Sequence, residues 1–187
     1  MIKLYTERLL IRDYVIDDLA NHHSLLSDAN VMYYLQDIKT ETPEESKENL
    51  MRVLDDQGSE QRKLYHFVIE EKTTNEFIGS IGYTVLENTP FGKMVHMGYF
   101  ILNDYWNKGY TTEALKKVIE FAFTENNVYR IHTGCVKENI YSEKIMQNCG
   151  FIKEAEFIEY VFHDGKFKDR VEYRLLKKEW EKQKLSL

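Results

Sequence analysis

Cysteine is scarce in this chain of 187 residues, with Cys135 and Cys149 the whole complement. There is no Cys-x-x-Cys pair, and the six histidines form no His-x-x-x-His pair, so no structural zinc or other metal is expected. Long apolar runs are missing too. None approaches the ~20 residues of a membrane span, and no membrane partner is expected. The opening "MIKLYTERLLIRDY" is broken by Lys3, Glu7, Arg8 and Arg12, which leaves no apolar signal core. The expected setting is the cytoplasm, with both thiols reduced and buried. Positive charge is also in deficit: 25 Lys and Arg stand against 31 Asp and Glu, for a net charge of -6 and a pI near 5.6. That balance argues against a nucleic-acid partner held by phosphate neutralisation, and mildly favours a cationic ligand. Finally, neither G-x-x-x-x-G-K-[ST] nor G-x-G-x-x-G occurs, which excludes the common nucleotide loops.

What is present fits one domain over residues 1–187, with no repeat, linker or low-complexity stretch. "KLYTERLLIRDY" alternates like a strand around Leu4, Leu9 and Ile11. Asp17 then reads as the N-cap of a short helix carrying Leu19, Leu25 and Leu26. "TPEESKENLMRVLDDQG" is a second helix, with Thr42 and Glu45 as a capping box, Pro43 in its first turn and Gly58 at its end. Tyr65–Ile69, Phe77–Leu86 and Val95–Leu102 predict a meander of antiparallel strands. Thr112–Asn126 is the most regular helix, with Leu115, Val118, Ile119, Ala122 and Phe123 on one face. A strand over Arg130–Val136 leads to a helix capped by Asn139 and closed by Gly150, and Phe157–Phe162 with Phe167–Leu176 predict a last hairpin. The remaining tail reads as solvated and partly frayed.

The stretch "YWNKGYTTEAL", from Tyr105 to Leu115, passes from strand end to helix through Lys108 and Gly109. A helix N-terminus offers backbone N–H groups without intrahelical partners and the positive end of the dipole, so anions bind there. Gly109 permits close approach of a ligand to the backbone, and Lys108 adds a mobile charge. The plainer reading of Lys-Gly before a helix is an ordinary turn.

Two longer stretches, "GYFILNDYWNKGYTTEAL" and "NIYSEKIMQNCGF", together with "TERLLIRDY", "EFIGSIGY" and "EYRLLKKEW", resemble the GCN5-related N-acetyltransferase (GNAT) superfamily nearly end to end. Within it the chain is most similar to the RimJ/RimL-like group that acetylates N-terminal amines of ribosomal proteins. The resemblance implies an α/β (α+β) fold: a mixed, mostly antiparallel central sheet flanked by helices and splayed at the acetyl-CoA site. It also implies acetyl-CoA as co-substrate, held by a [Q/R]-x-x-G-x-[G/A] loop. Here that loop is Trp106 to Thr111: Gly109 matches, Trp106 replaces the Gln/Arg and Thr111 the last small residue. The cofactor-binding set so implied is Phe100, Ile101, Asn107, Lys108, Gly109, Tyr110, Thr111, Thr112 and Asn139. Backbone groups near Phe100 and Ile101 would pair with the pantetheine arm.

Direct attack of an amine on the thioester needs a proton taken from the ammonium and one given to the departing thiolate. Many relatives use a tyrosine as acid, but counting back from "CGF" its position is Met146. The resemblance offers Ser142 instead, in Asn139-x-x-Ser142; the plainer reading is that Ser142 completes the helix cap. His96 stands where relatives often carry a glutamate and is the candidate base; the plainer reading is an exposed strand histidine. Tyr141 is a lesser candidate, Cys135 and Cys149 read as core thiols, and Tyr33 and Tyr34 read as either pocket or core. Three functions stay open: an acetyltransferase for protein N-termini, one for a small cationic amine such as a polyamine or aminoglycoside, or a non-catalytic acyl-CoA sensor. A homodimer is admitted by any of them.

Overall fold

A computed structural model describes residues 1–185. The strands are β1 (Lys3–Tyr5), β2 (Leu9–Asp13), β3 (Leu64–Glu71), β4 (Phe77–Thr89), β5 (Gly92–Ile101), β6 (Val128–Val136), β7 (Ile152–His163) and β8 (Lys166–Leu176). The helices are α1 (Leu19–Ser27), α2 (Pro43–Gln57), α3 (Tyr110–Thr124), α4 (Ile140–Asn148) and α5 (Lys177–Lys184). The strands form one mostly antiparallel sheet in the order β1-β2-β3-β4-β5-β6-β8-β7, the mixed architecture expected. The chain divides into two compact units, Met1–Thr84 with Gly98–Val118, and Val85–Met97 with residues from Ile119 onward.

In the first unit β1 to β4 make the antiparallel meander, with Leu4 opposite Ile11, Ile11 opposite Ile69 and Phe67 opposite Ile81. The period-two pattern puts Leu9, Ile11, Phe67 and Ile69 out of water together. Two apolar clusters pack the helices on this sheet: Tyr14, Leu50, Val53 and Val68, and then Leu25, Leu26, Val31 and Met32 beside Phe77, Phe100 and Leu102. Each such side chain contributes about 1.5–3 kcal/mol when fully buried. Thr42 and Glu45 form the capping box of α2, with Thr42 Oγ1 accepting from Glu45 N–H at 3.2 Å. His22 contacts Tyr14 Oη and Asn49, and His23 contacts Ser46, so these adjacent histidines tie α1 to its neighbours.

One cap moves. Asp17 is exposed, and Asp18 takes the N-cap position of α1 without a side-chain cap bond; its carboxylate instead accepts from Val15 N–H at 2.8 Å, across the preceding 3-10 turn, and pairs with both terminal nitrogens of Arg12.

In the second unit β5 runs parallel to β6 over Lys93–His96, and β6 and β7 flank β8 antiparallel. Gly150, at φ +82, closes α4 as expected. The tail, expected to fray, is helix α5: Glu179 accepts from Leu176 N–H at 2.9 Å, Trp180 packs on Phe123 at 5.4 Å, and Gln183 donates to Gly150 O at 2.9 Å. The amphipathic signal is short and sits among four lysines and two glutamates, so composition hid a helix that Trp180 anchors.

Candidate active site

The strand-to-helix junction lies within the first unit. β5 ends at Ile101, Leu102 N–H makes a further bond to Ile78 O at 2.9 Å, and a single tight turn over Asn103–Tyr105 follows. The chain then reverses through two residues in the left-handed region, Asn107 at φ +60 and Gly109 at φ +79. Such alternation turns successive N–H groups toward one side, a concavity suited to anions. Helical bonding in α3 starts with Glu113 N–H to Gly109 O at 3.0 Å. The N–H groups of Tyr110 and Thr111 therefore come before the first intrahelical bond. Thr111 is buried and Lys108 exposed. The loop is bracketed by aromatics, with Lys108 Nζ 5.5 Å from the Tyr105 ring and Tyr105 edge-on to Tyr110 at 6.0 Å. Trp106, which stands where the loop pattern has Gln or Arg, donates its indole N–H to Ile101 O at 2.9 Å. It thus pins the loop to the end of β5, and a pantetheine amide at that carbonyl would be a second donor.

Gly79, in the neighbouring β4, is required by this strand end. A Cβ there would lie 2.4 Å from Phe100 O and 2.6 Å from Ile101 Cα. The "EFIGSIGY" stretch therefore sets how closely β4 approaches the residues expected to face the co-substrate.

The proton-handling candidates lie in the second unit. Asn139 is the N-cap of α4, its Oδ1 accepting from Ser142 N–H at 3.2 Å, so these two expected residues do meet. The Ser142 hydroxyl bonds the Cys135 thiol, and Cys135 Sγ lies 3.8 Å from Asn139 O as a donor. Burial pushes that thiol up to about 11 even though Ser142 pulls it down, so Cys135 is protonated at neutral pH and is no ready nucleophile. Met146 is fully buried, and Tyr141 is exposed. His96 projects from β5 opposite His132 of the parallel β6, ring centroids 5.0 Å apart. Burial holds His132 below the usual imidazole range. Sequence reasoning missed His132, whose only signal was its place in a strand beside β5. It also missed Arg8 and Glu113, which back the loop and are treated below.

Tyr33 and Tyr34 stack edge-on at 4.8 Å, with Tyr33 exposed. Close by in sequence, a cavity of about 690 Å³ opens among Asp37, Glu41, Glu45, Glu48, Arg52 and His66, all of the first unit. Among the described residues no group of three metal-ligating side chains converges, and no helix is long and apolar enough to cross a membrane.

Residues 8–152 match the model of the acetyltransferase (GNAT) domain. The chain is 30% identical to the uncharacterised N-acetyltransferase YnaD of Bacillus subtilis over 94% of its own length and 97% of that protein's. A ribosomal-protein-S5-alanine acetyltransferase from Vibrio fischeri superposes with a TM-score of 0.83 at 22% identity, covering 96% of this chain and 99% of that one. Spermidine N-acetyltransferase from Vibrio cholerae, solved with CoA and spermine, superposes at 0.82 with 20% identity, over 94% and 99%. The chain belongs to the GNAT family and is an N-acetyltransferase.

Proposed function

We propose that this protein, acting as one domain in the cytoplasm, transfers the acetyl group of acetyl-CoA to a primary amine by direct attack, with a protein or peptide N-terminus as acceptor. The observation that carries the reading is the start of α4. Asn139 caps the helix through Ser142 N–H, which fixes Ser142 in the first turn, and the tyrosine position is taken by the buried Met146. In this reading the amides around Gly109 hold the diphosphate, with Asn107, Lys108, Tyr110, Thr111 and Thr112 shaping or lining that cradle. Phe100 and Ile101 present backbone to the pantetheine. When bound, acetyl-CoA supplies the activated acyl group. Ser142 would then relay a proton to the departing sulfur, taking up the proton released by the attacking nitrogen as it gives up its own so that it is never left ionised, and His96 would take the ammonium proton directly or through water. An α-amino group, with a pKa of about 7.7–8.0, already offers a useful neutral fraction, so the demand on His96 is small.

One observation favours a second reading. The four carboxylates at the 690 Å³ cavity, Asp37, Glu41, Glu45 and Glu48, outnumber its cations Lys39 and Arg52. That lining suits a polycationic amine. Incubation with acetyl-CoA and both acceptor classes separates the two: acetylated peptide N-termini support the first reading, acetylated polyamine alone the second.

A further inference from the structure

We infer that Arg8 is a positioning residue for the diphosphate loop, shaping the loop from behind and cancelling the charge of Glu113 in the first turn of α3. The inference rests on the reading of that loop as the acetyl-CoA cradle. Arg8 and Thr6 lie in "TERL", between β1 and β2, about a hundred residues before the loop in sequence. The guanidinium reaches four parts of the junction. Its Nε and one terminal nitrogen bind Glu113 Oε2 at 2.7 and 2.6 Å, and the other terminal nitrogen donates to Lys108 O at 3.0 Å. Its Cζ lies 4.4 Å from the Tyr110 ring centroid, and the nitrogen nearest Gly109 is 3.5 Å from where a Cβ would stand. Glu113 is further held by Thr6 Oγ1 at 2.6 Å and Arg8 N–H at 2.9 Å.

Two consequences follow from the chemistry. First, Lys108 O and the Tyr110 face bracket Gly109, so one planar cation fixes the residue on each side of the left-handed turn. Lysine cannot reproduce that fork. Second, a carboxylate in the first turn of a helix normally satisfies the dipole, but here it would repel the anion the same turn is meant to hold. Burial raises the Glu113 carboxyl, yet the bonds from Thr6 and Arg8 and the charge of Arg8 keep it below the usual carboxylate range, hence ionised. Arg8 makes that charge harmless to a diphosphate.

The test measures calorimetric affinity for coenzyme A itself, with melting temperature as the check on folding. Arg8→Gln is expected to weaken binding about tenfold, and Arg8→Gln with Glu113→Gln to recover at least about a third of the wild-type affinity, because the uncompensated carboxylate is gone. A merely structural arginine predicts no recovery. Wild-type affinity in Arg8→Gln, or a double variant as weak as the single, overturns the inference. Arg8→Lys keeps the charge and loses the fork; it is expected to bind about threefold more weakly, and full affinity there overturns the loop-shaping part. If wild-type protein itself binds no coenzyme A, the cradle reading falls and the inference with it, a failure distinct from an indifferent Arg8.

Discussion

Gly109 allows a clean separation of conformational strain from steric blockage. At φ +79 it sits where an L-residue costs about 1–2 kcal/mol. The space beside it is adequate, since the nearest atom to an added Cβ is an Arg8 nitrogen at 3.5 Å, an ordinary contact. Substitution should therefore act through φ alone. Asparagine tolerates this region, as Asn107 at φ +60 shows within the same loop. Alanine should cost about 1–2 kcal/mol, a factor of roughly 5–30, and valine more because its branched Cβ is stiffer. If the loop relaxes, the loss is read in coenzyme A affinity; if it stays strained, it is read in stability, at about 2–4 °C of melting temperature per kcal/mol for a chain of this size. The expected order of affinity plus stability is Gly, Asn, Ala, Val. Calorimetry and thermal unfolding of the four proteins check it. A valine variant with wild-type affinity and an unchanged melting temperature would refute the assignment of this turn as a conformationally demanding cradle.

Ser142→Ala should lower turnover about a hundredfold or more while leaving coenzyme A affinity within about twofold, and unchanged turnover removes Ser142 from the mechanism. His66 is depressed from 6.5 to about 4, chiefly by burial and then by the charges of Arg62 and His22. A histidine kept neutral by folding contributes stability that is fully present above pH 6.5 and is lost between there and pH 4, up to about 3 kcal/mol. Urea unfolding at pH 7 and pH 4.5 should show a smaller pH-dependent loss in His66→Gln than in wild type; equal losses contradict the assignment. Gly79→Ala, whose Cβ would meet Phe100 O at 2.4 Å, should cost about 1–3 kcal/mol and weaken coenzyme A binding. Wild-type stability there would mean that β4 and β5 can part freely.

Much of this was legible in the sequence because local rules and tertiary context agreed. The Thr42–Glu45 box, the α3 stripe and the Asn139 cap each use partners three or four residues apart, so spacing alone reveals them. The strands of the meander and the last hairpin were legible for the same reason, through alternation and turn residues. What escaped depends on distant partners. Nothing near Asp17 and Asp18 says which of them Arg12 will choose. Nothing in "TERL" says that Arg8 will reach Lys108 and Glu113, or that Trp106 will bond back to Ile101. The α5 helix is weakly amphipathic, and Phe123, not its own sequence, gives Trp180 a place to pack.

The central claim is acetyl transfer from acetyl-CoA to an amine. The most direct test is to incubate the purified protein with acetyl-CoA and a panel of short peptides with Ala, Ser, Thr or Met N-termini, polyamines and aminoglycosides, and to read products by mass spectrometry. The account predicts the mass gain of one acetyl group on peptide N-termini, abolished or strongly reduced in Ser142→Ala. A protein that binds acetyl-CoA yet acetylates no member of the panel would contradict it and favour an acyl-CoA sensor.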